Sequence, residues 1–391
     1  MPSLVDDAPR CHVAVTKVAS RCNLNCTYCY VYNAGDETYA AQPRVMARAT
    51  VDALIERAAE HCARHDLEWF EFVFHGGEPL LAGPEFFTYF AERAAARLPP
   101  STAPRFSMQT NGTLLTAPWC ELLRALDVRL GISVDGPQAI NDRQRVDHRG
   151  KGSYERIRRG WELAQAHGLD PGLLAVIDVQ ADPLEVFAHV LELKPRKADF
   201  LLPQANHDKP PPHAAPGTTP YADWLLQVFA VWIDDATPPV RIRLFERIVH
   251  AVLGLANASD AMGPGRNEVL VVETDGGIEP VDVLKICGHG ITKTPLNVAR
   301  DELDDAFAIP LLQLYHFSGR RLCATCNACP IREICAGGYL PHRFSKANAF
   351  DNPSVYCADL LKLIAGIQNW VVAQLPAELT ARLGLVPLAP A

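Results

Sequence analysis

The sequence has no long apolar run. Nothing in its 391 residues reaches the ~18 consecutive apolar positions that a membrane span needs. Met1 to Arg10 is polar and acidic, not a basic start leading into an apolar stretch. These two absences exclude a spanning or exported chain and set the expectation of a soluble, cytoplasmic protein with no membrane partner. Positive charge is also short, 37 Lys and Arg against 45 Asp and Glu for a net charge of −8, which argues against nucleic acid as a substrate. Cysteine is plentiful at 12 residues, but a cytosolic setting keeps thiols reduced, so metal ligands are expected where a disulfide framework is not. Cys11, Cys62 and Cys120 have no partner at ligand spacing and read as ordinary buried thiols. With 48% hydrophobic and 21% charged residues the chain can bury large cores, and its length suggests two or three domains.

Three cysteines stand together in Arg21-Cys22-Asn23-Leu24-Asn25-Cys26-Thr27-Tyr28-Cys29. Thiolates are the usual ligands of iron–sulfur clusters and four close a cubane, so a tight loop offering three implies an iron with an exchangeable fourth ligand. Zinc completed by a distant His, or a redox pair, are the plainer alternatives.

Apolar strand-like runs alternate with helix-period segments through the first half. Strands are predicted at 11–18, 68–74, 105–109, 128–134, 173–179 and 200–203, with helices at 50–64, 84–97, 117–126, 154–167 and 183–193. The last helix has Asp182 at the N-cap and Pro183 at its first position. Six strand–helix alternations predict a parallel, right-handed α/β sheet in the form of a partial (β/α)6 TIM barrel, whose site lies in the loops after the strands. One such loop is His75-Gly76-Gly77-Glu78-Pro79, where paired glycines allow close backbone approach to a ligand. Two more strands end in Gln109-Thr110-Asn111-Gly112 and Ser133-Val134-Asp135-Gly136-Pro137. Asn111 and Asp135 could equally form Asx turns, and Arg145 could be a solvated surface residue.

The Pro-rich stretch from Lys209 to Pro220 reads as a linker or an ordered crossing loop, followed by bridging helices at 221–233 and 244–255. The division expected is a barrel over 1–208, linker and bridging helices over 209–262, a second domain over 263–375 and a tail over 376–391. The second domain holds Cys326, Cys329, Cys335 and Cys357, a strong metal signature that a structural zinc ribbon would also satisfy. Cys287 and Cys323 remain, too few for a complete second cluster.

The three-then-two cysteine spacing, with Tyr28 before the third cysteine, resembles that of the radical S-adenosylmethionine (SAM) enzymes. The resemblance implies a [4Fe-4S] site cluster on Cys22, Cys26 and Cys29, with SAM on the open iron. Gly76, Gly77 and Glu78 then match the element holding the methionine amine. Gln109, Asn111, Ser133 and Asp135 match positions contacting ribose and carboxylate, and Arg145 can pair with the cofactor carboxylate. The later cysteines resemble a SPASM domain, a small α+β iron–sulfur domain in which Cys326, Cys329, Cys335 and Cys357 would hold an auxiliary [4Fe-4S] cluster. That pattern is incomplete: Ala336-Gly337-Gly338-Tyr339 and Val281 stand where ligand cysteines are common.

The segments Asp275 to Lys285, Cys335 to Arg343 and Phe350 to Cys357 resemble peptide maturases of the cyclophane-forming branch (FxsB-like and GrrM-like). This implies a ribosomally made precursor peptide as partner, an electron donor such as flavodoxin or ferredoxin, and a bond from an aromatic ring to a β-carbon. Asp282 aligns with the catalytic aspartate of sulfatase-maturating enzymes and is the expected base. With the loop starting at Cys22 no leader-recognition domain is expected. Arg320, Arg321, Arg332, Arg343 and Lys346 are candidates to attract an acidic leader. The rivals are formylglycine formation, weakened by the missing cysteines, thioether formation, and a non-catalytic iron–sulfur or redox protein.

Overall fold

Six parallel strands alternate with helices in the computed structural model, which describes residues 9–234, 238–255 and 260–388. They are β1 (Val13–Ala19), α1 (Arg48–Arg64), β2 (Trp69–Gly76), α2 (Pro84–Arg97), β3 (Ala103–Thr110), α3 (Ala117–Ala125), β4 (Val128–Ser133), α4 (Gln138–Gln144), α5 (Tyr154–Ala166), β5 (Gly172–Val176), α6 (Pro183–Leu193) and β6 (Ala198–Leu201). The strands lie in the order β6-β5-β4-β3-β2-β1, and every adjacent pair is parallel. The sheet curls without closing, as the alternation predicts. Asp182 caps α6 by accepting a hydrogen bond from the Leu184 N–H at 2.8 Å.

Strand alternation decides which side chains face the site. In β2, Phe70, Phe72 and Phe74 are fully buried against the helices, and Phe74 meets Phe87 and Phe90 of α2 edge-to-face at 5.0 and 5.1 Å. Glu71, Val73 and His75 take the opposite face, toward the barrel interior. β1 and β2 pair in parallel with Lys17 opposite His75, so the period-two rule brings these two residues together.

The hairpin expected to open a separate domain instead continues the barrel sheet. β7 (Val269–Val272) pairs in parallel with β1, and β8 (Ile278–Glu279) pairs antiparallel with β7, giving eight strands. Without β7 the outer edge of β1 would present unpaired backbone groups. The consequence is that residues just after β8 sit beside β1. Between the halves, α7 (Pro220–Ile233) and α8 (Arg243–Val252) bridge, and the Pro-rich stretch is an ordered crossing loop: Lys209 Nζ donates to the Ile286 carbonyl at 3.2 Å and the Tyr221 hydroxyl to that of Pro212 at 2.7 Å. The long helix Cys357–Gln374 packs on α7, with Trp370 edge-on to Phe229. The tail returns to this helix, where Asn369 bonds the backbone of Leu388 in both directions. Among the described residues no helix is long and apolar enough to cross a membrane.

Candidate active site

A cavity of about 440 Å³ opens where the loops after β1, β2, β3 and β4 converge, and it has two dissimilar walls. One wall is the cysteine loop and what it leans on. Cys22, Cys26 and Cys29 all line the cavity. Their loop is pinned by the Asn25 and Thr27 N–H groups, which donate to the carbonyls of Val146 and Gln144 at 2.7 and 2.9 Å. The turn after β2 lies flat against this loop. A Cβ at Gly76 (φ +144°) would stand 2.0 Å from the Ala19 carbonyl oxygen, and one at Gly77 would stand 2.4 Å from that of Arg21, so only glycine fits. Burial pushes the Cys22 thiol up to about 12 and raises Cys26 and Cys29 as well. Thiols so placed ionise when a bound cation stabilises the thiolate.

Behind the loop the Tyr28 hydroxyl donates to Asp135 at 2.6 Å and accepts from Arg145 Nη1 at 2.7 Å. Asp135 also accepts from the Val176 N–H at 3.0 Å. Burial favours the neutral form of Asp135 and raises it, against the opposing pull of Arg145. Arg145 sits just after α4, is 6% exposed, and carries a buried Nε with no hydrogen-bond partner. An orphaned guanidinium N–H at the cavity wall fits a carboxylate such as that of SAM. Asn111, Gln109 and Ser133 line the same wall, with Gln109 donating to Ser133 Oγ at 2.9 Å and Asn111 to Asn23 Oδ1 at 2.9 Å.

Glu78 also has a structural task. Its carboxylate is fully buried, does not line the cavity, and accepts from Thr110 Oγ1 (2.6 Å), the Asn111 N–H (2.9 Å) and the Leu80 N–H (3.1 Å). Glu78 therefore ties the turn after β2 to the end of β3. Oε1 takes two of these bonds and Oε2 one, so Oε2 keeps an acceptor site, and the backbone at Gly76 and Gly77 does line the cavity.

The opposite wall was not assigned from the sequence, apart from Asp282. Asp282 is 5% exposed, forms an ion pair with Lys17, and accepts from the Tyr30 hydroxyl at 2.8 Å. Lys17 Nζ also lies 3.0 Å from His75 Nδ1. Burial alone would raise the Asp282 carboxyl, but Lys17 and the Tyr30 hydroxyl hold it well below the usual range. His75 is pushed down to about 4 by burial and then by Lys17, against Asp282. Tyr30 and His75 line the cavity, whereas Asp282 and Lys17 stand behind them. The available signal was Lys17 itself, a lone charge in the run Val13-Ala-Val-Thr-Lys-Val-Ala19.

Residues 16–186 match the Radical SAM superfamily. The matched segment runs from β1 into α6 and carries the cysteine loop and the turn after β2. Over most of its length the chain is similar to the cysteine-type anaerobic sulfatase-maturating enzyme of Clostridium perfringens, 24% identical over 356 residues that cover 89% of this chain and 94% of that one. It is also similar to the serine-type enzyme of Klebsiella aerogenes, 28% identical over 86% of this chain and 81% of that one. The structure of native anSMEcpe with bound AdoMet superposes with a TM-score of 0.77 at 22% identity, covering 96% of this chain and all of that one. Streptococcus suis SuiB bound to precursor peptide SuiA gives 0.56 at 15% identity over 85% of this chain and 72% of that one. The protein is an enzyme that modifies a substrate, with SAM and iron–sulfur clusters as its cofactors.

C-terminal to the matched segment, five thiols gather. Cys323 joins Cys326, Cys335 and Cys357 as electrostatic neighbours, and Cys329 flanks Cys335 and Cys357. Burial, with the adjoining thiols adding to it, pushes Cys326 and Cys335 up to about 12. A single metal ion needs its ligand atoms close together; among the described residues the group that meets this within 4.8 Å is His61, His65 and Asp304, not any set of these thiols. Cys287 does not belong to the group. It packs among Val281, Val283, Leu284 and Leu340, beside Asn206 and Lys209, as an apolar side chain. Arg343 is likewise no docking charge: it is 2% exposed and donates to the carbonyls of Ser318, Arg321 and Phe350.

Proposed function

We propose that the enzyme oxidises one residue of a peptide at its β-carbon, with Asp282 and the groups around it taking the proton that leaves. When bound, SAM and its cluster supply a carbon radical able to take a hydrogen atom from an unactivated C–H bond. Cys22, Cys26 and Cys29 would hold that cluster, and Arg145, Asn111 and the Gly76–Gly77 backbone would orient SAM. The peptide residue, one hydrogen atom poorer, must then lose a proton and an electron. Asp282, kept ionised by Lys17, is the proton acceptor, reached from the cavity through the Tyr30 hydroxyl. Four of the thiols of Cys323, Cys326, Cys329, Cys335 and Cys357 would hold the auxiliary cluster suited to receiving the electron.

The observation that carries this reading is the cavity itself, lined by the three cysteines and by Tyr30 and His75, with the buried, ion-paired carboxylate of Asp282 bonded to Tyr30 behind them. Similarity to sulfatase-maturating enzymes over 86–89% of the chain favours oxidation of Cys or Ser to formylglycine as the product. A cross-link from an aromatic ring to the β-carbon is the second reading. It is favoured by the inner wall, where Phe200, Met262, Tyr339 and Leu360 offer apolar room for a ring. The cluster-reconstituted, reduced enzyme is incubated with SAM and either a sulfatase-derived peptide or an aromatic peptide encoded beside it. Formylglycine gives an aldehyde that hydrazide reagents label. A cross-link gives a peptide lighter by two hydrogens with its thiols unchanged and a bridged fragmentation pattern. No 5′-deoxyadenosine with either peptide would refute the reading.

A further inference from the structure

Lys17 is the least expected residue of the site. It is 3% exposed in a strand otherwise made of Val, Ala and Thr, and burying an ammonium costs several kcal/mol unless it is paired and hydrogen-bonded. Its two partners come from different elements: His75 from β2, opposite it in the sheet register, and Asp282 from the turn after β8. Tyr30 of the cysteine loop donates to Asp282, and Cys29, Lys285, Tyr315 and Tyr339 are further titratable groups within electrostatic reach of Lys17 or Asp282.

The direction of each hydrogen bond follows from what each group can do. An ammonium has three N–H donors and no acceptor, so at 3.0 Å His75 Nδ1 must accept. A neutral ring that accepts at Nδ1 carries its hydrogen on Nε2. A protonated ring would instead set an N–H against the ammonium, and burial with Lys17 pushes His75 down to about 4. His75 lines the cavity and Lys17 does not, so the edge left for cavity contents is the Nε2–H. On the Asp282 side the same ammonium fixes the carboxylate, which takes the Tyr30 hydrogen and leaves that hydroxyl's lone pairs as acceptors.

We propose that Lys17 is a positioning residue that sets the hydrogen-bond polarity of this wall, fixing His75 as a donor and Tyr30 as an acceptor toward the cavity. Resting on the reading that a peptide occupies the cavity, the group His75 takes is a substrate carbonyl oxygen. Removing Lys17 frees His75 to adopt either tautomer, while burial, the larger of the two influences that push the ring down, stays in place.

The test is isotope-edited infrared spectroscopy of SAM-free holoenzyme with ring-labelled histidine. The band of His75 is isolated by subtracting the spectrum of His75→Gln. The wild type should show the neutral Nε2–H form alone between about pH 5 and 8. Lys17→Met should show mixed tautomers, and Lys17→Arg, which keeps a cationic donor, should restore the wild-type band. An Nδ1–H tautomer or an imidazolium in the wild type at pH 7 overturns the proposal, as does a Lys17→Met band identical to wild type. If Lys17→Met does not fold, the wild-type band alone decides. No peptide is present, so failure of peptide oxidation leaves this result standing, and failure here leaves peptide oxidation standing.

Discussion

The two walls of the cavity are built in different ways. The SAM-facing wall is local. Cys22, Cys26, Cys29, Gly76 and Gly77 come from two short loops whose residues are contiguous in sequence, and the glycines are there because a Cβ would strike the neighbouring backbone. The facing wall is assembled at long range. Lys17 and His75 meet through the register of β1 and β2, and Asp282 reaches them because β7 adds to the outer edge of β1. Loops can carry a signature that spacing reveals, whereas a register-built site leaves in the sequence only a misplaced charge.

If the walls have separate tasks, damage to one should spare the other. The largest effect is expected from Cys22, Cys26 and Cys29 changed together to Ala: no 5′-deoxyadenosine, and a loss of about one four-iron cluster by iron analysis. Reductive SAM cleavage by that variant would dissolve the distinction. Next is Arg145→Met, which removes the orphaned guanidinium and should weaken SAM binding by about 1.5–3 kcal/mol in equilibrium dialysis, the range for a charged hydrogen bond. Unchanged affinity would return Arg145 to a purely structural role beside Tyr28.

Further from the cavity, Cys335→Ala should lower the iron content while Cys287→Ala leaves it unaltered, because Cys287 packs as an apolar side chain away from the other thiols. Equal iron loss in both would put Cys287 among the ligands. The smallest effect is on stability. His75 and His342 are pushed down to about 4 and about 3, in both cases first by burial. As pH falls below about 6.5 the unfolded chain takes up protons at these rings and the folded chain does not, so stability is lost on acidification. The slope is about 1.4 kcal/mol per pH unit for each ring. Thermal unfolding from pH 7 to 5, with iron followed in parallel, should show a falling midpoint; a rise would contradict the assignment of these rings as neutral.

Much of this was legible in advance. All six barrel strands and the helices at 84–97 and 183–193 follow from apolar periodicity with Pro and Asp signals at their starts. Where the reading slipped, tertiary context was responsible. The hairpin of β7 and β8 looks like the start of a new unit because periodicity says nothing about which edge a strand will join. The tie from Glu78 to the end of β3 is likewise invisible in the sequence, because it depends on which strand the turn after β2 lies against. Arg343 stands near His342, Ser345 and Lys346 in sequence and among buried carbonyls in space.

The separation of the walls is tested most directly with Asp282→Asn. An amide keeps the size of the side chain but cannot accept the proton as a carboxylate can. The ratio of modified peptide to 5′-deoxyadenosine is measured in wild type and variant under identical reduction. The account predicts that 5′-deoxyadenosine persists while modified peptide falls by roughly 10²–10⁴-fold. An unchanged ratio, or the loss of both products together, would contradict it.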